Sequence, residues 1–330
     1  MFDIGFRALV ARITAIALGL SFLAVFGSAV FAANNAQLGF QYYQAKQFSK
    51  AIPLLKKANA QNPRDLAILF YLGSAAAFSG DTALAIDAFS RLYVVSGGID
   101  KYTCAVDPLY ARLRSVNHPY SCRSGSSLIR WHPKCVPVRI FITDGKEIPA
   151  EFAGKTISSD ALLKLSPYFH SPAYLNSLAF AQGYNPAQKS AVLAGLSQWS
   201  FLNKEKYLSY TVVNDPSHAD VIVFWTNRMV ARSGYTSYPP SQGVSYPLAS
   251  VRGCPVVVQF NSLDSPTTMA RAACHEFGHC FGLQHSPNKS DIMYETLNGA
   301  QNPSYNISDC DQLTIRALYR VPADIYLMSN

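Results

Sequence analysis

The sequence predicts an all-α unit followed by an α/β (α+β) domain, and two observations carry that prediction. Between residues 35 and 100 the pattern repeats at an offset of 34: Leu38-Gly39 returns as Leu72-Gly73, Ala51-Ile52 as Ala85-Ile86, and Leu55 as Phe89. After residue 130 the period changes, and β-branched runs alternate with helical segments. With 330 residues, 49% of them hydrophobic and 15% charged, the chain can bury two cores and lies far from a disordered profile. The net charge of +8 favours acidic surfaces or substrates. No Lys/Arg run exceeds two residues, so a nucleic-acid partner is not expected.

The elements follow in chain order. Arg7 and Arg12 precede an uncharged stretch from Ile13 to Ala33, and Val30-Phe31-Ala32 has the form of a small-residue cleavage site. Residues 1–33 are therefore expected to be a signal peptide or an uncleaved signal anchor. Everything after them is expected to be exported, either secreted or periplasmic, or anchored to a membrane through residues 13–33. Residues 34–116 hold the repeat, with Asn62-Pro63-Arg64-Asp65 and Ser79-Gly80-Asp81 as turns. The period and spacing resemble tetratricopeptide helix pairs, which stack and can dock a protein partner. A capping helix is expected near Asp107 to Val116.

Residues 117–130, rich in Ser, Gly and Pro, read as a linker to a domain spanning 131–330. Strands are expected at Val138–Thr143, Ala219–Trp225 and Pro255–Phe260. Pro186–Leu202 is expected to be helical, with Ala191, Leu193, Leu196 and Trp199 on its buried side. Met229–Arg252, dense in Ser, Tyr, Pro and Gly, reads as an irregular loop. Helices are expected over Thr267–Phe281 and Ser308–Tyr319, the second opened by a capping box.

The chemistry sits in HEFGHCFGLQH, His275 to His285. His275 and His279, four apart, leave one helix face and can present two nitrogens to one zinc ion. Glu276, beside the first ligand, is placed to act as general base on zinc-bound water. Gly282 suits the left-handed turn that ends a helix and brings back His285 as third ligand. Three protein ligands leave an open coordination position, the mark of a catalytic zinc. A bare HExxH is common; Gly282 and His285 at this spacing, with Met293 eight residues on, make coincidence improbable. His118, His132, His170 and His218 lack ligand spacing.

Residues 131 to 320 thereby resemble a matrixin-type metzincin, in which a serine, here Ser286, directly follows the third histidine. The resemblance implies a metzincin-type fold with a twisted mixed sheet and a zinc-binding helix. It implies zinc on His275, His279 and His285, catalysis by Glu276, a Met-turn at Met293, and endopeptidase activity on protein or peptide substrates. A substrate strand would add to an edge, with Gly243 to Pro247 as the expected segment. Asp/Gly-rich loops of the kind that hold structural calcium and a second zinc in animal matrixins are not evident, so one catalytic Zn2+ is expected and structural Ca2+ is doubtful. Pro133-Lys134-Cys135-Val136-Pro137 is similar to a cysteine switch but lacks its glycine and aspartate, which favours a disulfide at Cys135. Export makes disulfides the expectation among the seven cysteines, with at least one thiol left over and Cys274–Cys280 excluded by their separation along one helix. Two other functions fit the pattern: a helical-repeat binding module carrying a non-catalytic scaffold, and a zinc hydrolase acting on a non-peptide target.

Overall fold

The computed structural model describes residues 29–97, 101–114, 118–205, 208–229, 234–237, 254–295 and 306–328. Most of the expected signal segment and the expected substrate-strand segment Gly243 to Pro247 lie outside the described residues. The chain divides into two compact units, Met1–His118 and Pro119–Asn330. Among the described residues no helix is long and apolar enough to cross a membrane.

The first unit is five helices: α1 (Ala29–Gln44), α2 (Phe48–Gln61), α3 (Leu66–Ser79), α4 (Thr82–Ser96) and α5 (Lys101–Leu113). The backbone of α1 runs through the expected cleavage site and into the repeat without a break. Asp65 caps α3 by accepting from the Ile68 N–H at 2.9 Å, and Gly80, left-handed, ends it. Successive helices pack against each other, and the repeat is visible in the contacts. A Cβ on Gly39 would lie 2.9 Å from the Leu55 side chain, and one on Gly73 would lie 2.4 Å from Phe89. The same small-on-large contact thus closes both helix pairs. Arg91 joins the two by donating to Asn59 Oδ1 at 2.6 Å while pairing with Asp87 at 2.8 Å.

The second unit is built on a five-stranded sheet in the order β4-β3-β5-β7-β6, where β3 is Val138–Glu147, β4 Tyr210–Val212, β5 Val221–Thr226, β6 Gly234–Ser237 and β7 Val256–Asn261. Pairing is parallel except at β6, which runs antiparallel to β7 and forms an edge among the described residues. Every residue of β5 is buried, as an apolar run in a central strand requires. The Arg139 guanidinium grips the buried Asp220 carboxylate through bonds of 2.9 and 3.0 Å, which ties β3 to the start of β5. Helices α6 (Ser159–Phe169) and α7 (Pro172–Ser177) follow β3, and neither was expected from the sequence. Phe169 and Leu175 from them share a buried cluster with Ile222 and Phe224 of β5.

Helix α8 (Pro186–Ser197) starts where expected, then tightens into a 3-10 turn over Gln198–Lys204. Ala191, Leu196 and Trp199 are buried, but Leu193 is exposed at 36%. Leu193 drops out of the packed face because it falls two residues after Ala191, off the i, i+3, i+4 stripe. Helices α9 (Pro266–Cys280) and α10 (Asp309–Leu318) complete the unit.

A second sheet lies where a linker was expected. β1 (Arg123–Ser124) pairs with β2 (Ser127–Trp131), and β2 pairs in parallel with β8 (Ile325–Leu327) near the C-terminus. The linker reading therefore does not hold for residues 123–130. Ser and Gly at 124–127 make the turn of a hairpin, and the Leu128 N–H donates to Asp324 at 2.8 Å. The disulfide expectation is also corrected: all seven cysteines are described and none is in a disulfide. Cys122, Cys254, Cys274, Cys280 and Cys310 are instead buried as small apolar side chains.

Candidate metal centre and its supports

Helix α9 opens at Ser265, whose hydroxyl accepts from the Thr268 N–H, with Pro266 in the first turn. Two tryptophans brace the helix through its carbonyls. Trp199 Nε1 donates to Cys274 O at 2.9 Å and Trp131 Nε1 to Cys280 O at 2.8 Å. Between these points the helix presents His275 and His279 on one face.

The helix ends at a turn that also orients a ligand. Gly282 has φ of +99°, and a Cβ there would sit 2.4 Å from Ile129 O of β2, so both the conformation and the close approach require glycine. The turn brings Leu283 N to Gly278 O at 3.0 Å, and the Leu283 carbonyl then accepts from His279 Nδ1 at 2.8 Å. His275 Nδ1 makes the corresponding 2.8 Å bond to Ile292 O. With Nδ1 bound to a carbonyl on each ring, that nitrogen carries the proton and the Nε2 lone pair faces inward.

The three Nε2 atoms meet: His279 lies 3.1 Å from His275 and 3.2 Å from His285. Among the described residues these three form the cluster that could hold a metal ion, their donor atoms all within 4.8 Å of one another. Nitrogens bound tetrahedrally to zinc at 2.0–2.1 Å stand about 3.3–3.4 Å apart, so the donor set fits that ion. Lone pairs held this close repel unless a cation lies among them, which is a second sign of fit. Burial, foremost, lowers the pKa of both His275 and His279 to about 4, so both stay neutral and able to ligate across the physiological range. His285 is exposed and forms the open side of the cluster.

Glu276 is buried at 8% exposure beside the cluster. Its Oε2 accepts from the Thr236 hydroxyl at 2.7 Å, and a Cβ on Gly234 would stand 2.6 Å from its Cγ. Edge strand β6 therefore gives Glu276 both a hydrogen bond and the space to lie in. Neither Thr236 nor Gly234 was singled out in the sequence. Both lie in the Ser/Tyr/Gly/Pro-rich stretch read as loop, and only the pairing of β6 with β7 brings them to Glu276.

Met293 is fully buried under α9, its sulfur 2.3 Å from where a Gly278 Cβ would be and Trp199 close by. The Ser286 N–H donates to Met293 O at 2.8 Å, so the chain leaving His285 lies along the turn that bears the methionine. Asp311 secures the same turn. It accepts from the Ile292 N–H at 3.0 Å and from the Tyr120 hydroxyl at 2.8 Å, and it closes the capping box of α10 with Ser308. Tyr120, Asp311, Ile292 and His275 thus form one chain of contacts from the start of the unit to the first histidine. Cys135 stands in a 3-10 turn before β3 and is not part of the histidine cluster, so the structure lends no support to a cysteine switch.

Residues 180–320 match the family model for matrixin, Peptidase_M10. The chain is also similar to human matrix metalloproteinase-26, with 30% identity over 140 residues. That alignment covers 40% of this chain and 51% of the relative, so the chain spans about half the length of the protein it matches.

Proposed function

We propose that the chain, whose residues 180–320 match the matrixin family model, is a zinc-dependent endopeptidase acting on protein or peptide substrates, with Glu276 as its general base. The convergence of His275, His279 and His285 with Glu276 beside them is the observation that supports this reading most. The three Nε2 atoms would hold the zinc ion. When bound, the metal supplies Lewis acidity at the scissile carbonyl and lowers the pKa of water to near neutrality.

The residues of the chain do the rest. Glu276 takes the proton of the attacking water and delivers it to the departing amine nitrogen as the peptide bond breaks. Thr236 fixes one carboxylate oxygen, which limits Glu276 to one orientation and reduces the entropic cost of reaching the reactive geometry. Gly234 leaves the carboxylate room. Strand β6 ends the sheet beside this carboxylate among the described residues, and an extended substrate is expected to add to that edge.

The helical unit is proposed as a docking module of tetratricopeptide type for a protein partner, on the strength of its 34-residue offset and the matched Gly39–Leu55 and Gly73–Phe89 contacts. Export remains the reading of the N-terminal segment. The decisive experiment on the enzyme is hydrolysis of an unfolded protein by the zinc-loaded chain, with and without a chelator, alongside Glu276→Ala. Zinc-dependent cleavage that disappears in Glu276→Ala is expected. Cleavage that survives in Glu276→Ala or in chelator sinks the mechanism, and zinc binding with no cleavage of any peptide points to a non-catalytic scaffold.

A further inference from the structure

The turn after α9 decides where two of the three histidines stand, since Leu283 O holds His279 and the chain then returns His285. Trp131 takes the Cys280 carbonyl of this turn, and the next carbonyl along is Phe281 O. The Tyr319 hydroxyl donates to it at 3.1 Å, across 38 residues. Tyr319 caps the C-terminus of α10 and is buried. Burial raises its pKa, so the phenol keeps its proton and remains a donor. The same oxygen accepts from the Trp131 N–H at 3.4 Å, so one hydroxyl joins β2 to the turn.

Arg130 stacks on that ring. Its guanidinium carbon lies 5.2 Å from the centre of the Tyr319 ring and 5.3 Å from that of Tyr326. Arg130 is only 6% exposed, and its Nε is buried without a hydrogen-bond partner. Burying a guanidinium this way is costly, and two π faces offset only part of the cost. An apolar side chain would fill the same core space more cheaply. What distinguishes the pair is its end point, a carbonyl in the turn between two histidines of the cluster.

We propose that Tyr319, held by Arg130, is a positioning residue of the metal centre: its bond to Phe281 O sets the turn that aims His279 and returns His285. This rests on the reading of the cluster as a catalytic zinc centre, and it is tested on metal binding rather than on turnover. Zinc affinity, by competition with a chromogenic chelator, is measured on the full chain and on Tyr319→Phe, Arg130→Met and Tyr326→Phe. The visible spectrum of each cobalt-loaded chain reports the geometry of the ligands. Tyr319→Phe removes one oxygen and keeps the ring. It is expected to weaken zinc binding about tenfold, the lower end for groups that support a ligand, and to shift the cobalt bands. Arg130→Met is expected to move both readouts the same way by less. Tyr326→Phe removes the hydroxyl of the other ring, which accepts from the Ala323 N–H at 3.1 Å, and should leave both unchanged. Unaltered zinc affinity and cobalt bands in Tyr319→Phe overturn the proposal, as does an equal loss in Tyr326→Phe, the mark of general loosening. Unaltered readouts in Arg130→Met remove Arg130 from it. Failure of the endopeptidase reading shows separately, as an unmodified chain that binds zinc yet cleaves no peptide.

Discussion

The two units hold themselves together over different distances along the chain. In the helical unit the deciding contacts join near neighbours: Gly39 with Leu55, Gly73 with Phe89, and Tyr93 with Asp107 fourteen residues on. In the second unit they join remote segments. Trp131 reaches Cys280 across 149 residues, Tyr120 reaches Asp311 across 191, and the Leu128 N–H reaches Asp324 across 196. Local contacts give a stack whose parts can be written in sequence order. Remote contacts give a site whose parts are fixed only when the whole unit is closed, and a defect far away in sequence is then felt at the histidine cluster.

The largest test of this contrast removes the metal. Zinc held by the native histidine cluster and not by an unfolded chain is expected to stabilise the second unit by mass action, about 4 kcal/mol at a thousandfold excess over Kd. A calorimetric scan of the full chain is expected to show the second unit's transition rising with zinc while the helical unit's stays put. Two transitions that move together break the comparison. His279→Ala is expected to abolish both the shift and proteolysis.

Next in size, Glu276→Ala is expected to lower kcat by about 10²–10⁴-fold, the range of a positioned acid–base group, with zinc content unchanged by metal analysis. Thr236→Val then tests a support 40 residues away from Glu276. A loss of about tenfold in kcat, with KM little changed, is expected from one lost charge-assisted bond. Thr236→Ser should restore it, and equal activity in the Val and Ser variants removes Thr236 from the mechanism.

Asp311 sharpens the contrast through pH. Burial, with a further push from the Asp291 charge, raises its pKa from 3.8 to about 6, in spite of the donors around it. The folded state then binds the proton more tightly than the unfolded state does. Its contribution to stability is full below about pH 4 and is lost as pH rises through 6, on the order of 2–3 kcal/mol. Relative to the unmodified chain, Asp311→Asn should lose that slope in the denaturant midpoint of the second unit, and an unchanged slope refutes the assignment.

The smallest expected effect lies in the helical unit. Gly73→Ala should cost about 1–3 kcal/mol by overpacking, because the Phe89 ring is in the way, and Gly39→Ala less, because Leu55 can shift. Neither should alter zinc affinity.

Much of the site was legible because its geometry is local. A four-residue spacing on a helix brings His275 and His279 together whatever surrounds them, and Gly282 is where the helix has to turn for His285 to return. The strands at β3, β5 and β7 were legible for the same reason, as short β-branched runs. Leu193 was misjudged because its apolar side chain outweighed its spacing, two residues after Ala191 and off the buried i, i+3, i+4 stripe. Residues 123–130 were read as linker because Ser and Gly outnumber the apolar residues there, and no local signal reveals a partner strand at Ile325–Leu327.

By itself, then, the sequence determined the repeat, the histidines of the cluster, the carboxylate beside them and the turn between them, since each follows from bonds and torsions within a few residues. Only the tertiary structure decided that β6 lies against Glu276, that Thr236 holds it, and that Asp311 and two tryptophans secure the helix and turn bearing the histidines. Those contacts depend on which strands pair and which helices pack, and that is settled by the burial of the whole unit rather than by any one segment of it.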